Sequence, residues 1–261
     1  MGLGDEIATV PVWYHTIELA DGVSTPGWFD LGPVLGKLPW PDVEGRRCLD
    51  VGTYDGALAF ELERRGAKEV VATDIADHEH WDWPAALRRR GPEVLAQMAG
   101  EKGSGFELAK RALGSRAERV ELSVYDLSPE RLGSFDIVVC GSLMLHLRDP
   151  IGALEAIASV CTGRFLSAET IDPGLSVRAR RGAAAKLGDQ ELMHWWIPNR
   201  AGHRAMVERA GFTVIRESGV YAVPFGAGHP DREASRTGLL QRLVAGGPGV
   251  PHAAVLAEPV P

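Results

Sequence analysis

Along this chain, short apolar runs that end in glycine or an acid alternate with stretches of helical character. Arg47-Cys-Leu-Asp-Val51 is the first such run, and Gly56 to Arg65, carrying Leu58, Phe60 and Leu62, reads as the helix that follows. Glu69-Val-Val-Ala-Thr73 is a second strand, ending at Asp74. Arg119 to Val124 alternates apolar and polar residues and ends at Tyr125-Asp126, and Phe135 to Cys140 is a fourth strand. Pro150 to Cys161 is an amphipathic helix with Ile151, Leu154, Ile157 and Ala158 on one face. Gly163 to Ala168 is a fifth strand, closed by Glu169. This alternation predicts an α/β fold, a doubly wound and mostly parallel sheet covered on both faces.

The flanks differ in character. Residues 1–45 hold seven acids and one base, with Trp13, Tyr14, Trp28, Phe29 and Trp40 among prolines and glycines, and they predict a lid or arm. Residues 46–261 read as one domain, with an insertion at about 77–118 and substrate-side elements at about 173–250. From Pro84 to Arg119 the insertion carries eight bases against four acids. Beyond the fifth strand come a basic helix (Arg178, Arg180, Arg181, Lys186), the cluster His194-Trp195-Trp196, and a helix Ala201–Ala210 stopped by Gly211. Phe212–Arg216 and Val220–Val223 read as strand halves around Ser218-Gly219. A short helix is expected at Leu239–Val244, and Ala253–Leu256 can close the sheet.

Composition narrows the classes. With 45% apolar and 24% charged residues among 261, the chain is an ordinary globular protein. A net charge of −7 argues against a nucleic-acid binder working by overall field. Cys48, Cys140 and Cys161 sit in apolar runs and form neither a disulfide framework nor a zinc pattern. No metal site is expected: His78 and His80, with Asp77, Glu79 and Asp82, read as a solvated loop. The longest apolar stretch, Ile137–Leu145, is too short for a membrane span, and the N-terminus lacks a basic region followed by an apolar one. The expectation is a soluble, cytoplasmic protein.

The candidate chemistry lies in Leu49-Asp50-Val-Gly52-Thr53-Tyr54-Asp55-Gly56, after a strand and before a helix. Two glycines four apart let the backbone turn sharply and approach a ligand. A dinucleotide site would have a glycine where Tyr54 stands, and Asp55 would repel a phosphate. The loop therefore suits a phosphate-free cofactor with a positive group, and S-adenosylmethionine fits. Asp74 (followed by Ile75), at a strand end, can accept both ribose hydroxyls. Asp126, between Tyr125 and Leu127, can accept an adenine amino proton.

The series D-V-G-T-Y-D-G, V-A-T-D-I, Y-D-L and F-D-I-V-V-C-G-S-L-M-L-H-L-R-D-P resembles class I S-adenosylmethionine-dependent methyltransferases over roughly residues 45–215. With W-W-I-P-N-R-A-G-H-R-A-M-V-E-R-A-G-F downstream, it resembles more narrowly the family that modifies the wobble uridine of tRNA to its methoxy or oxyacetate form. The resemblance implies a Rossmann-like sheet of seven strands whose last pair forms an antiparallel edge. It also implies cofactor contacts at Asp50, Gly52, Gly56, Asp74, Asp126 and the Gly141–Ser142 turn. One branch of that family uses a carboxylated cofactor, for which Arg148 and Arg178 are the candidate cations.

On the acceptor side, His146 follows the fourth strand and can act as a general base. Trp13, Tyr14, His15, Trp28 and Phe29 form a candidate lid, with His15 a second candidate for proton transfer. Glu169, Arg178, His194, Trp195, Trp196 and Asn199 are candidate substrate walls. The reading is methyl transfer to an oxygen or nitrogen of a small molecule, of the kind found in secondary metabolism. The alternatives are a tRNA modifier, whose basic groove would come from the insertion and Arg178–Lys186, and a regulatory protein that binds the cofactor without transfer.

Overall fold

The computed structural model describes residues 2–99, 102–230 and 247–260. One sheet contains β1 (Arg47–Val51), β2 (Glu69–Asp74), β3 (Glu118–Glu121), β4 (Phe135–Gly141), β5 (Cys161–Thr170), β6 (Phe212–Glu217), β7 (Tyr221–Val223) and β8 (Val250–Pro259). Its order is β6-β8-β5-β4-β1-β2-β3, with β7 also on β8. Asp50 of β1 lies opposite Ala72 of β2 and Val139 of β4, both parallel. The chain thus leaves β1 outward through β2 and β3, then returns to β4 on the other side of β1. That reversal opens a crevice beyond the carboxyl ends of β1 and β4.

The expected seven-stranded sheet is present, with one edge position broken in two. β6 and β7 lie end to end on β8, with Glu217 opposite Val255 and Tyr221 opposite His252. Ser218 makes the break: its N–H donates to Ala254 O and its Oγ accepts from Ala254 N, each at 2.8 Å. β8 itself runs antiparallel to β5.

Alternation along the strands explains why both faces are covered. Cys48, Ile137 and Val139 face one core with Phe60 and Phe106, while Leu49, Val138 and Cys140 face the other with Leu154, Ile157 and Phe165. Strands buried on both faces read as continuous apolar runs, which is the pattern of β1 and β4.

The N-terminal arm is both anchor and cover. Trp13 is 2% exposed and donates its indole N–H to Ile7 O at 3.1 Å. Main-chain bonds join the two arm segments: Thr16 N to Phe29 O at 2.8 Å, Phe29 N to Tyr14 O at 2.9 Å and Trp28 N to Trp13 O at 3.0 Å. Such pairing fixes the side chains between them to alternate sides.

Three expectations need revision. β3 stops at Glu121, because Ser123 caps a single tight turn over Val124–Asp126. The basic helix ends at Arg178, since Arg180 and Arg181 take positive φ of 48° and 68°. Lys186 instead lies in a small hairpin (Ala185–Leu187 with Trp196–Pro198) and pairs with Asp172 at 2.5 Å. The helix expected at Leu239–Val244 lies outside the described residues. Among the described residues, no helix is long and apolar enough to cross a membrane.

Candidate active site

A cavity of 920 Å³ lies beyond the carboxyl ends of β1, β2 and β4, lined by Val51, Gly52, Tyr54, Thr73, Asp74 and Gly141 among others. Gly52 has φ 76°, and a Cβ there would lie 3.0 Å from the Leu143 side chain, so the loop and the β4 turn meet closely only through glycine. Tyr54 also takes positive φ, 51°, which is unusual for a bulky residue and places its ring in the cavity wall. Ser142, at φ 52°, lines the cavity opposite and bonds His252 Nε2 at 2.9 Å.

Asp74 ties this loop to β2. Its Oδ2 accepts from Tyr54 N and its Oδ1 from Ile75 N, both at 2.7 Å. Lys102 Nζ stands 3.3 Å from Oδ1, with its charge 4.1 Å from the Trp81 ring centre and 5.0 Å from that of Tyr54. Lys102 and Trp81 were not legible as site residues. Lys102 is one of the eight bases between Pro84 and Arg119, and nothing in the pattern sets it apart.

Below the loop, Asp50 is 1% exposed and its Oδ2 has no hydrogen-bond partner, nor has Thr53 Oγ1. Burial pushes the Asp50 carboxyl up to about 6. Asp55 and Gly56 do not line the cavity. A Cβ on Gly56 would strike the Phe60 and Phe106 rings at 2.5 and 2.8 Å, so this glycine serves the helix start. Asp55, 1% exposed, turns to the arm: it accepts from Tyr14 N and His15 N at 2.8 Å each, and meets His15 Nδ1 at 2.5 Å. An anchored carboxylate–imidazole pair results, with His15 on the cavity wall.

The remaining candidates divide. Tyr14, Trp28, Phe29 and Tyr54 line the cavity, with Tyr14 centred 5.3 Å from Tyr54 and 5.0 Å from Phe29. Tyr125 and Ile75 also line it, and the Tyr125 hydroxyl donates to Asp82 at 2.5 Å. Asp126 is exposed outside the lining, because the tight turn directs it to solvent, and Leu127 is buried in the core. Trp13 points into the core rather than the cavity. Trp195 and Trp196 face away, their indoles tied to Asp82 O and Arg148 O. Asn199 is fully buried as a helix cap, accepting from Gly202 N at 2.7 Å. Arg178 is exposed and outside the cavity lining, in the last turn of the helix that Asp172 caps.

His146 and His194 remain on the wall, their ring centres 5.3 Å apart. His146 Nδ1 lies 3.2 Å from Met193 O, which assigns the proton to Nδ1 and leaves Nε2 as acceptor. Burial first, and His194 second, bring its pKa down to about 3, so the ring is neutral at physiological pH.

Glu169 lies beneath the turn that carries His146, receiving Leu143 N at 3.4 Å and Met144 N at 3.3 Å. It is 1% exposed, and burial outweighs the two amides, pushing its pKa from 4.5 up to about 8. Between those values the folded chain keeps a proton that the unfolded chain has released, so this group's contribution to stability falls as pH rises. Thermal melts of the wild type are expected to lose on the order of a few kcal/mol of stability from about pH 5 to 8 through this group. Glu169→Gln is expected to flatten that slope; equal slopes in the two proteins would assign the titration elsewhere.

With this geometry in place, comparison supplies the family. Residues 29–217 match the family described as a methyltransferase domain. The chain belongs to that family. It is 27% identical over 125 residues to the ubiquinone biosynthesis O-methyltransferase of Acinetobacter baylyi, covering 46% of this chain and 43% of that one. It thus spans about two fifths of the length of the first curated relatives it matches. Among solved structures, the 1,6-didemethyltoxoflavin-N1-methyltransferase of Burkholderia thailandensis superposes with a TM-score of 0.51 at 14% identity, covering 84% of this chain and 72% of that one. The [4+2]-cyclase SpnF superposes with a TM-score of 0.51 at 18% identity, covering 84% and 77%. These superpositions establish the fold alone. The narrower resemblance to wobble-uridine enzymes is not supported by these comparisons.

Proposed function

We propose that the cavity takes S-adenosylmethionine against β1 and β2 and a small acceptor beneath the arm, and that the methyl passes to an oxygen or nitrogen of that acceptor. The residues present fit the cofactor. Asp50 Oδ2 is an acceptor buried beneath the loop and outside the cavity lining, and it calls for a donor, which the Thr53 hydroxyl or, through water, the ammonium side supplies. Asp74 is the acceptor for the ribose hydroxyls, Ile75, Leu143 and Tyr125 are the walls for adenine, and Tyr14 and Tyr54 offer ring faces to a cation. When bound, the cofactor supplies a methyl on a positively charged sulfur, already activated for in-line displacement.

The observation that carries the small-molecule reading is the cover. Tyr14, Trp28 and Phe29 of the arm line the same cavity as Gly52 and Asp74, within a volume in the range of small-ligand sites, about 300–1,000 Å³. His15, oriented by Asp55, is the general base for the acceptor's hydroxyl or amine proton. Where the acceptor is an amine, His146 Nε2 accepts its second N–H and directs the lone pair, whereas a hydroxyl gives its one proton to His15 and His146 positions it by packing alone. The curated relative named above, an O-methyltransferase of ubiquinone biosynthesis, agrees with an oxygen acceptor.

The test is S-adenosylhomocysteine formation with a panel of phenols, catechols and heterocyclic amines. Turnover of a small acceptor is expected; turnover confined to tRNA would overturn the reading. With an acceptor in hand, His146→Ala is expected to lower kcat by about 10- to 100-fold, since it removes orientation and not the base. The neutral ring also predicts no step in the pH–rate profile from His146 between about pH 5 and 8, and a step in that range that vanishes in the variant would count against it.

A further inference from the structure

Behind the acceptor wall lies a second recess, of 420 Å³, lined by Trp83, Ala85, Arg88, Arg89, Arg148 and Trp195. It is separate from the main cavity but shares its wall. Asp82, Leu147 and His194 face the cavity, while their chain neighbours Trp83, Arg148 and Trp195 face the recess. Hydrogen bonds hold this wall shut: Trp195 Nε1 donates to Asp82 O at 2.6 Å, and Arg148 N to Asp82 Oδ2 at 2.8 Å.

The recess is built of fixed parts. The Trp83 indole donates to His78 O at 2.7 Å, and Arg88 donates to Trp83 O at 3.1 Å. Among the described residues, none of Arg88, Arg89 and Arg148 has a carboxylate partner, whereas the adjacent Arg90 pairs with Glu191. Arg88, Arg89 and Arg148 line one hollow, and although solvent screens their mutual repulsion, an anion there meets three guanidinium groups that have no ion-pair partner among the described residues. Guanidinium groups bind carboxylate and phosphate in a planar, bidentate manner, and indoles present flat apolar faces.

We propose that this recess is a binding site for a small anion with an aromatic body, an aryl carboxylate or aryl phosphate, distinct from the cofactor and acceptor sites. The anionic end meets Arg88, Arg89 and Arg148, and the ring lies against Trp195. Because Arg148 and Trp195 belong to the wall that also carries His194 and the His146 turn, occupancy bears directly on the acceptor side of the cavity.

Phenyl phosphate and benzoate, titrated separately into the full chain with calorimetry and tryptophan fluorescence as readouts, test this. Saturable binding is expected for at least one probe, at least tenfold weaker in Arg88→Gln/Arg148→Gln and unchanged in Asp74→Ala. The arginines are exposed, so the double variant should melt as the wild type does, and a melt at each step checks it. Absence of saturable binding, binding that survives the double variant, or binding lost in Asp74→Ala would each overturn the proposal. So would arginine-dependent binding of tRNA without binding of either probe.

Discussion

Replacing Asp74 by alanine is expected to weaken S-adenosylmethionine binding by at least about a hundredfold in calorimetric titration. A ribose diol accepted by an ionised carboxylate makes two charge-assisted hydrogen bonds, each contributing about 1.5–3 kcal/mol. Losing both removes about 3 kcal/mol or more, which is the stated factor. Two local effects act in the same direction. The Tyr54 amide loses its acceptor, so the strained loop loses the bond that fixes it to β2. Lys102, freed of its partner, leaves an uncompensated cation in a cavity meant for a sulfonium. Asp74→Asn separates these contributions, since an amide oxygen can still receive the Tyr54 N–H. Binding within threefold of wild type in Asp74→Ala would reduce this acid to a loop anchor.

The contrast between Asp74 and Asp55 shows what the sequence could and could not reveal. Asp74 was legible because its position follows from strand arithmetic: an acid at the end of the second parallel strand faces the switch point whatever the side-chain details. The five parallel strands were legible for the same reason, since apolar runs alternating with helices admit few arrangements. Asp55 sits in the loop beside the cofactor glycines and was read with them, yet its carboxylate turns to an arm forty residues away in sequence. Periodicity carries no information about such a contact. In His194-Trp195-Trp196 the composition was right and the direction was not. Alternation turns Trp195 away from the side of His194, and Trp196, which alternation alone would return to that side, is held off it by its indole bond to Arg148 O, so one side chain of the three reaches the cavity. Lys102 was lost among the eight bases of the insertion, where a solvated face and a cavity lysine look alike.

Asp55 is expected to have a dual effect that two substitutions separate. In Asp55→Ala the half-buried amides of Tyr14 and His15 lose their acceptor, and His15 loses the carboxylate at its Nδ1. Unsatisfied buried donors cost about 1–3 kcal/mol each and half-buried ones fall at the low end, so a loss of about 2–3 kcal/mol is expected in chemical denaturation, with protease cleavage appearing between residues 10 and 30. Asp55→Asn keeps an oxygen for the amides, so the arm should stay docked and resist protease. Its neutral amide no longer holds the His15 Nδ1–H as a carboxylate does, and the tautomer and orientation of the base change. Imidazole ¹⁵N spectra are expected to show this as a shift of one of the eight histidines, assigned by its absence in His15→Gln. With an acceptor in hand, the same variant should lose about 100-fold or more in kcat while cofactor affinity stays within a few-fold. Wild-type turnover in Asp55→Asn, with the arm still docked, would remove His15 as the base and leave Asp55 as the bond that closes the cover.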